Sequence, residues 1–153
     1  MDGFALDPAF AASNVRLGRT ALNHVLAADN AAVPWFVLVP ETQAIELCDL
    51  DPATHAALMD EVHRLGRAVR NELGVDKLNV AAIGNVVRQL HVHVVGRRRD
   101  DYCWPDVVWG RPAPAPLSGA EVAARRAFVA RVLGERFTAA TDARHEPRDR
   151  APP

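Results

Sequence analysis

Two short apolar-rich stretches, residues 15–18 and 20–28, come first, followed by the turn-prone pair Asp29-Asn30 and the run WFVLVP at 35–40. Runs of this length bounded by turn residues predict strands, the last two of them paired as an antiparallel hairpin. Pro40 should end that hairpin, because proline donates nothing to a ladder. A short strand near 44–47 is expected next. The period then changes. Asp51-Pro52 supplies a cap and a proline at the first helical position, and Leu58, Val62, Leu65, Val69 and Leu73 fall on one face. This spacing predicts a helix over 52–73, stopped by Gly74 in a left-handed conformation. Residues 77–83 and 89–95 read as two more strands, joined at Gly84-Asn85 as a hairpin turn. Ser118 and Glu121 form a capping box for a second helix to about 136, with Val122, Val129, Val132 and Leu133 as its stripe.

Antiparallel strands interrupted by one long helix and closed by another predict an α+β domain with a sheet of about five strands. A single domain over residues 1–137 is expected, followed by a flexible tail over 138–153, which is polar, charged and proline-containing. Composition agrees with one ordinary globular domain: 153 residues, 49% hydrophobic and 24% charged. The net charge of -1 argues against a protein that coats nucleic acid or an anionic membrane. Cys48 and Cys103 lack the spacing of a zinc knuckle or redox pair, so free thiols and a cytoplasmic location are expected. The first residues lack a signal-peptide pattern, and no apolar run reaches the ~20 residues that span a bilayer.

The segment GNVVRQLHVHVVGR, residues 84–97, holds the candidate chemistry. If it is a strand, Gln89, His91 and His93 project to one face while Leu90, Val92 and Val94 enter the core, with steps of roughly 6.6 Å along the row. Such a row can meet a polyatomic anion at several points, and imidazole serves as neutral nucleophile or protonated donor near neutral pH. Two other readings are open for a bare HxH. It can be two surface histidines on an amphipathic strand, or half of a zinc site completed by His24, Cys103 or Asp101.

The surroundings of the pair narrow these readings. The segment resembles the signature of the histidine triad (HIT) family, HφHφHφφ with φ hydrophobic. Gln89 stands at the first histidine position, His91 at the middle one and His93 at the third. Upstream, Asn79 and Gly84-Asn85 are similar to the Asn and Gly-Gln that precede the triad, and WFVLVP is similar to a characteristic strand of the family. Downstream, Trp104-Pro105 resembles a Trp-Pro of one branch. The similarity covers about residues 13–110. LNVAAIGNVVRQLHVHVV followed by WPDVVWG resembles a bacterial group often labelled diadenosine tetraphosphate hydrolase.

The resemblance implies a HIT-like fold, a homodimer, and hydrolysis or nucleotidyl transfer at the α-phosphate of a dinucleoside polyphosphate or related nucleotide. It implies that His91 is the nucleophile, oriented by the backbone carbonyl of Gln89, and that His93 donates to a phosphate oxygen. Gln89 is expected to support the site or touch phosphate, Asn79 and Asn85 to contact phosphate or leaving group, and Asp29 or Asn30 to meet the ribose. No metal or redox cofactor is required, although magnesium can accompany a polyphosphate substrate. With a neutral His91 and a protonated donor, kcat/KM should rise and then fall around neutrality. A nucleotide-binding or regulatory protein with little turnover is the alternative, motivated by Gln89. His55 and His63 are expected to be solvent-facing or structural, and His145 falls in the tail. Arg97, Arg98 and Arg99 are expected to act as a solvated loop or as a lure for polyphosphate. Trp104 and Trp109 are expected in the core, at a dimer contact or beside a base.

Overall fold

The computed structural model describes residues 3–141. Six strands form one antiparallel sheet in the order β4-β5-β3-β2-β1-β6: β1 Asn14–Arg19, β2 Asn23–Ala28, β3 Trp35–Pro40, β4 Lys77–Ala81, β5 Val92–Arg97 and β6 Thr138–Ala139. The expected hairpin is β2–β3, in register from Asn23↔Pro40 to Ala27↔Phe36. Helix α1, Phe10–Ser13, precedes the sheet; α2, Pro52–Glu72, and α3, Gly119–Leu133, pack on one of its faces.

Helix α2 forms where the sequence places it. The Asp51 carboxylate accepts the N–H groups of Ala53 and Thr54, satisfying donors that a helix start leaves open. Its stripe of Leu58, Leu65 and Val69 is fully buried against Phe36, Leu38, Val92 and Val94. Each such side chain contributes roughly 1.5–3 kcal/mol on leaving water. Ser118 and Glu121 close the expected capping box on α3, which gives way at Gly134 to a single 3-10 turn.

Five expectations change. The strand near 44–47 is absent, replaced by a 3-10 turn at Leu47–Asp49, because β2 and β5 already occupy both edges of β3. The strand expected at 89–95 starts at Val92, and the one expected at 77–83 ends at Ala81. Residues 82–91 between them form a long connection, in which Gly84 has a φ of +64°, rather than a two-residue turn. Ordered structure also continues past residue 137. Strand β6 pairs with β1 through Gly18↔Ala139 and Arg19↔Thr138. A Cβ on Gly18 would lie 2.3 Å from the Thr138 carbonyl, so only glycine permits that approach. The rest of the expected tail, 142–153, lies outside the described residues.

The opposite face of the sheet is covered differently. Phe4, Leu6 and Phe10 lie over Leu26, Val37 and Val39, so the N-terminal segment takes the place of a helix there. No helix of the described residues is long and apolar enough to cross a membrane.

Candidate functional site

His91 immediately precedes β5 and His93 is its second residue. Their rings meet edge to face with centroids 4.8 Å apart. His91 Nδ1 lies 2.7 Å from the backbone carbonyl of Gln89. A carbonyl only accepts, so this nitrogen carries the proton and Nε2 is the lone-pair nitrogen of the neutral ring. His93 is fixed in the reverse sense. The indole N–H of Trp35 donates to His93 Nδ1 at 3.0 Å, and because an indole cannot accept, the proton of neutral His93 resides on Nε2. Two adjacent imidazoles thus present opposite polarity at Nε2, one a lone pair and the other an N–H.

Burial, and then the neighbouring His91, push His93 down to about 4 from the ordinary imidazole value of 6.5. His93 is therefore neutral at neutral pH, with an N–H at Nε2 that needs no imidazolium to donate. The protonated donor expected at that position is replaced by a neutral one whose tautomer is set by Trp35.

These histidines line a cleft of about 890 Å³. One wall is the N-terminal segment from Ala9 to Asn14, a second is the connection from Ile83 to Val87, and a third runs from Val108 through Trp109 to Arg111. Asp29, Asn30 and Asn85 line it too, so three of the expected binding residues gather there. Asp29 accepts the Leu117 N–H at 2.8 Å. Asn30 is buried, accepting from the Ala32 N–H and donating to the Tyr102 hydroxyl. Trp35 and Trp109, with ring centroids 5.7 Å apart, both pack on His93. Phe10 lies in no motif, and Trp35 enters the sequence pattern only as the first residue of the WFVLVP strand. The parity of Trp35 with Val37, which pairs with His93, was the available signal.

Gln89 and Asn79 are placed elsewhere. The Gln89 side chain accepts the Asp7 N–H and donates to the Ala5 carbonyl, both at 2.9 Å. Asn79 is not among the cleft-lining residues; its carbonyl oxygen accepts from Arg97 Nη1 at 2.9 Å. Arg97 is only 1% exposed and makes a two-pronged pair with Asp101, at 2.7 and 3.0 Å. It also donates to the Asp106 carbonyl and lies over the Trp104 ring. Burial alone would raise Asp101, but the hydrogen bonds from Arg97 and from the Cys103 and Arg98 N–H groups outweigh it and hold the carboxyl at about 2. Arg97 is therefore an internal brace for the 98–106 loop, neither lure nor solvated. Arg98 is exposed, and the Arg99 N–H bonds to Asp76.

His24 is buried beneath the Phe4 ring, with Nε2 2.9 Å from Glu41, while His55 and His63 are exposed on α2. His145 lies outside the described residues. Among the described residues, no three of His, Cys, Asp or Glu group as a metal site. Of the residues expected to complete a zinc site, His24 lies against Glu41, and Cys103 and Asp101 bond within the Arg97 brace.

The profile of the HIT domain matches residues 11–100. Solved histidine triad proteins from Bradyrhizobium japonicum and Marinobacter aquaeolei are 38% and 34% identical to this chain. They superpose with TM-scores of 0.79 and 0.81, over 84% and 88% of this chain and 97% and 98% of theirs. A histidine triad protein from Sinorhizobium meliloti is 32% identical, with a TM-score of 0.80 over 85% of this chain and 97% of that one. No curated protein matches the chain. The chain belongs to the HIT family, whose members act on nucleotides.

Proposed function

We propose that this protein is a nucleotide hydrolase or nucleotidyl transferase that cleaves at the α-phosphate of a dinucleoside polyphosphate or related nucleotide. His91 Nε2 attacks the α-phosphorus, forming an N–P bond as the P–O or P–N bond breaks, its electron pair leaving on a phosphate oxygen or on a nitrogen that takes a proton from solvent. Water then attacks the nucleotidyl-histidine, the N–P bond breaks, and the mononucleotide departs with a proton released. His93 donates from Nε2 to a non-bridging oxygen as charge builds there in both steps. The observation that supports this reading is the opposite fixing of the two rings, one by the Gln89 carbonyl and the other by the Trp35 indole.

The cleft suits such a ligand in size and lining, with aromatic surface at Phe10, Trp35 and Trp109 for a base. Trp109 Nε1 is buried with no acceptor among the described residues and offers a further donor. Asp29 and Asn85 are the polar groups for ribose and phosphate, with Asn30 buttressing the Asp29 turn. No metal enters the chemistry; magnesium travels with a polyphosphate substrate. A homodimer belongs to the same reading, since β4 is an edge strand with Val80 46% exposed, and sedimentation at micromolar concentration tests it.

Incubation with diadenosine polyphosphates and with adenosine phosphoramidates, followed by chromatography, should release AMP from one class or both. Calorimetric binding of AMP without turnover of either class would establish the second reading, a nucleotide-binding or regulatory protein, which Gln89 at the first triad position favours.

A further inference from the structure

The side chain at the first triad position bonds to the beginning of the chain and is not among the residues that line the cleft. Gln89 uses both ends of its amide there, accepting the Asp7 N–H and donating to the Ala5 carbonyl. These groups flank Leu6, and a planar amide offers its acceptor and donor side by side, as a neighbouring strand would. An imidazole presents its two nitrogens in diverging directions and can keep only one of the two bonds. Glutamine at this position is thus matched to the segment it holds.

The contacts continue from that segment to the nucleophile. Asp7 holds the turn that leads into α1: its carboxylate accepts the Ala9 N–H at 2.9 Å and its carbonyl accepts the Phe10 N–H at 3.0 Å. The Phe10 ring, buried on Leu26, Val37 and Val39, meets the His91 ring edge to face with centroids 5.0 Å apart. Phe4 anchors the other end by stacking on His24 at 5.3 Å. The carbonyl that orients His91 belongs to Gln89 as well. One residue therefore places the nucleophile through its backbone and a wall of the cleft through its side chain.

We propose that Gln89 is a positioning residue that ties residues 4–13 across the open face of the sheet as a fixed wall of the cleft, setting affinity for the nucleotide rather than the rate of its cleavage. The wall is apolar at Ala9, Phe10 and Ala12 and polar at Ser13 and Asn14, so it suits the base and sugar of a nucleotide; this rests on the reading of the cleft given above.

Gln89→Met keeps the length of the side chain and deletes both hydrogen bonds. Hydrogen exchange at the Asp7 amide should quicken by at least about tenfold. KM for the nucleotide substrate and Kd for AMP should rise about tenfold, with kcat within about twofold, because the carbonyl on His91 is retained. Gln89→His should also raise KM without raising kcat. Leu6→Ala loosens the same segment from its apolar side, so it should raise KM, and combined with Gln89→Met it should add less than its separate effect. Unchanged Asp7 exchange in Gln89→Met would overturn the clamp. A fall in kcat at constant KM would overturn the positioning role and put the side chain on the reacting phosphate, and a steep gain in kcat from Gln89→His would mark glutamine as a lesion. Wild-type protein that binds no nucleotide would overturn the reading of the cleft and the role of its wall, while Asp7 exchange would still report the clamp separately.

Discussion

The two ends of β5 carry polar side chains on the same face of the same strand, and they do opposite things. At the start, His91 and His93 each have one ring nitrogen fixed by the protein, and both line the cleft. At the finish, the buried Arg97 meets Asp101, Asn79 and the Asp106 carbonyl. In sequence the two ends share one signal, polar residues of the same parity: His91 and His93 at one, Arg97 at the other. The difference lies in satisfaction. A polar group whose every bond is met internally braces a loop, whereas one held by half its valence beside a cleft is available for chemistry.

The largest effect that would test this contrast is at the open end. His91→Ala should lower kcat by at least about 10³-fold, well beyond what the loss of its buried ring contacts with Phe10 and His93 costs in thermal stability, since it removes the group proposed to attack phosphorus. Full turnover by this variant would remove the proposed mechanism. At the closed end the signature should be reversed. Arg97→Met leaves the Asp101 carboxylate buried without its partner and should cost about 3–5 kcal/mol in urea denaturation. Adding Asp101→Leu should recover much of that loss; failure to recover would mean the brace is not a mutual pair.

A smaller effect comes from His93. Its pKa of about 4 lies below the 6.5 of an ordinary imidazole, so between these values the unfolded chain binds the extra proton. Stability should therefore fall as pH drops through that window, by about 3 kcal/mol at its acid end. Denaturation of wild type and His93→Gln at several pH values checks this, because the variant should lack that part of the slope. Trp35→Phe should lower kcat about tenfold and let His93 populate both tautomers, visible in ring nitrogen shifts by NMR. A ring that stayed wholly Nε2-protonated would show that something other than the indole sets it. The smallest expected effect is Asn79→Ala, about 1 kcal/mol of stability with kcat/KM within about threefold. A tenfold loss of kcat/KM at unchanged stability would move Asn79 to the catalytic end of the comparison.

Sequence alone determined the elements whose signals are local. Asp51-Pro52 and an apolar stripe suffice for α2, Ser118 with Glu121 starts α3, and Asp29-Asn30 between two apolar runs gives the β2–β3 hairpin. It also determined the family, since HVHVV with its upstream and downstream companions is a pattern in linear order, and it placed His91, His93 and the Gln89 carbonyl correctly relative to one another. Tertiary structure decided where β5 begins, which polar residues are braces, and what surrounds the nucleophile. Period-two alternation runs from Gln89 onward, yet the ladder starts at Val92, opposite Leu38, and β4 ends opposite His93. Asn79 reads as a site residue until Arg97, 18 positions away, takes its oxygen. Trp35 reaches His93 across 58 residues, and Gln89 reaches Asp7 across 82. No propensity or spacing encodes such contacts, because they form only after burial has brought distant segments together and left each polar group to find whatever partner the fold provides.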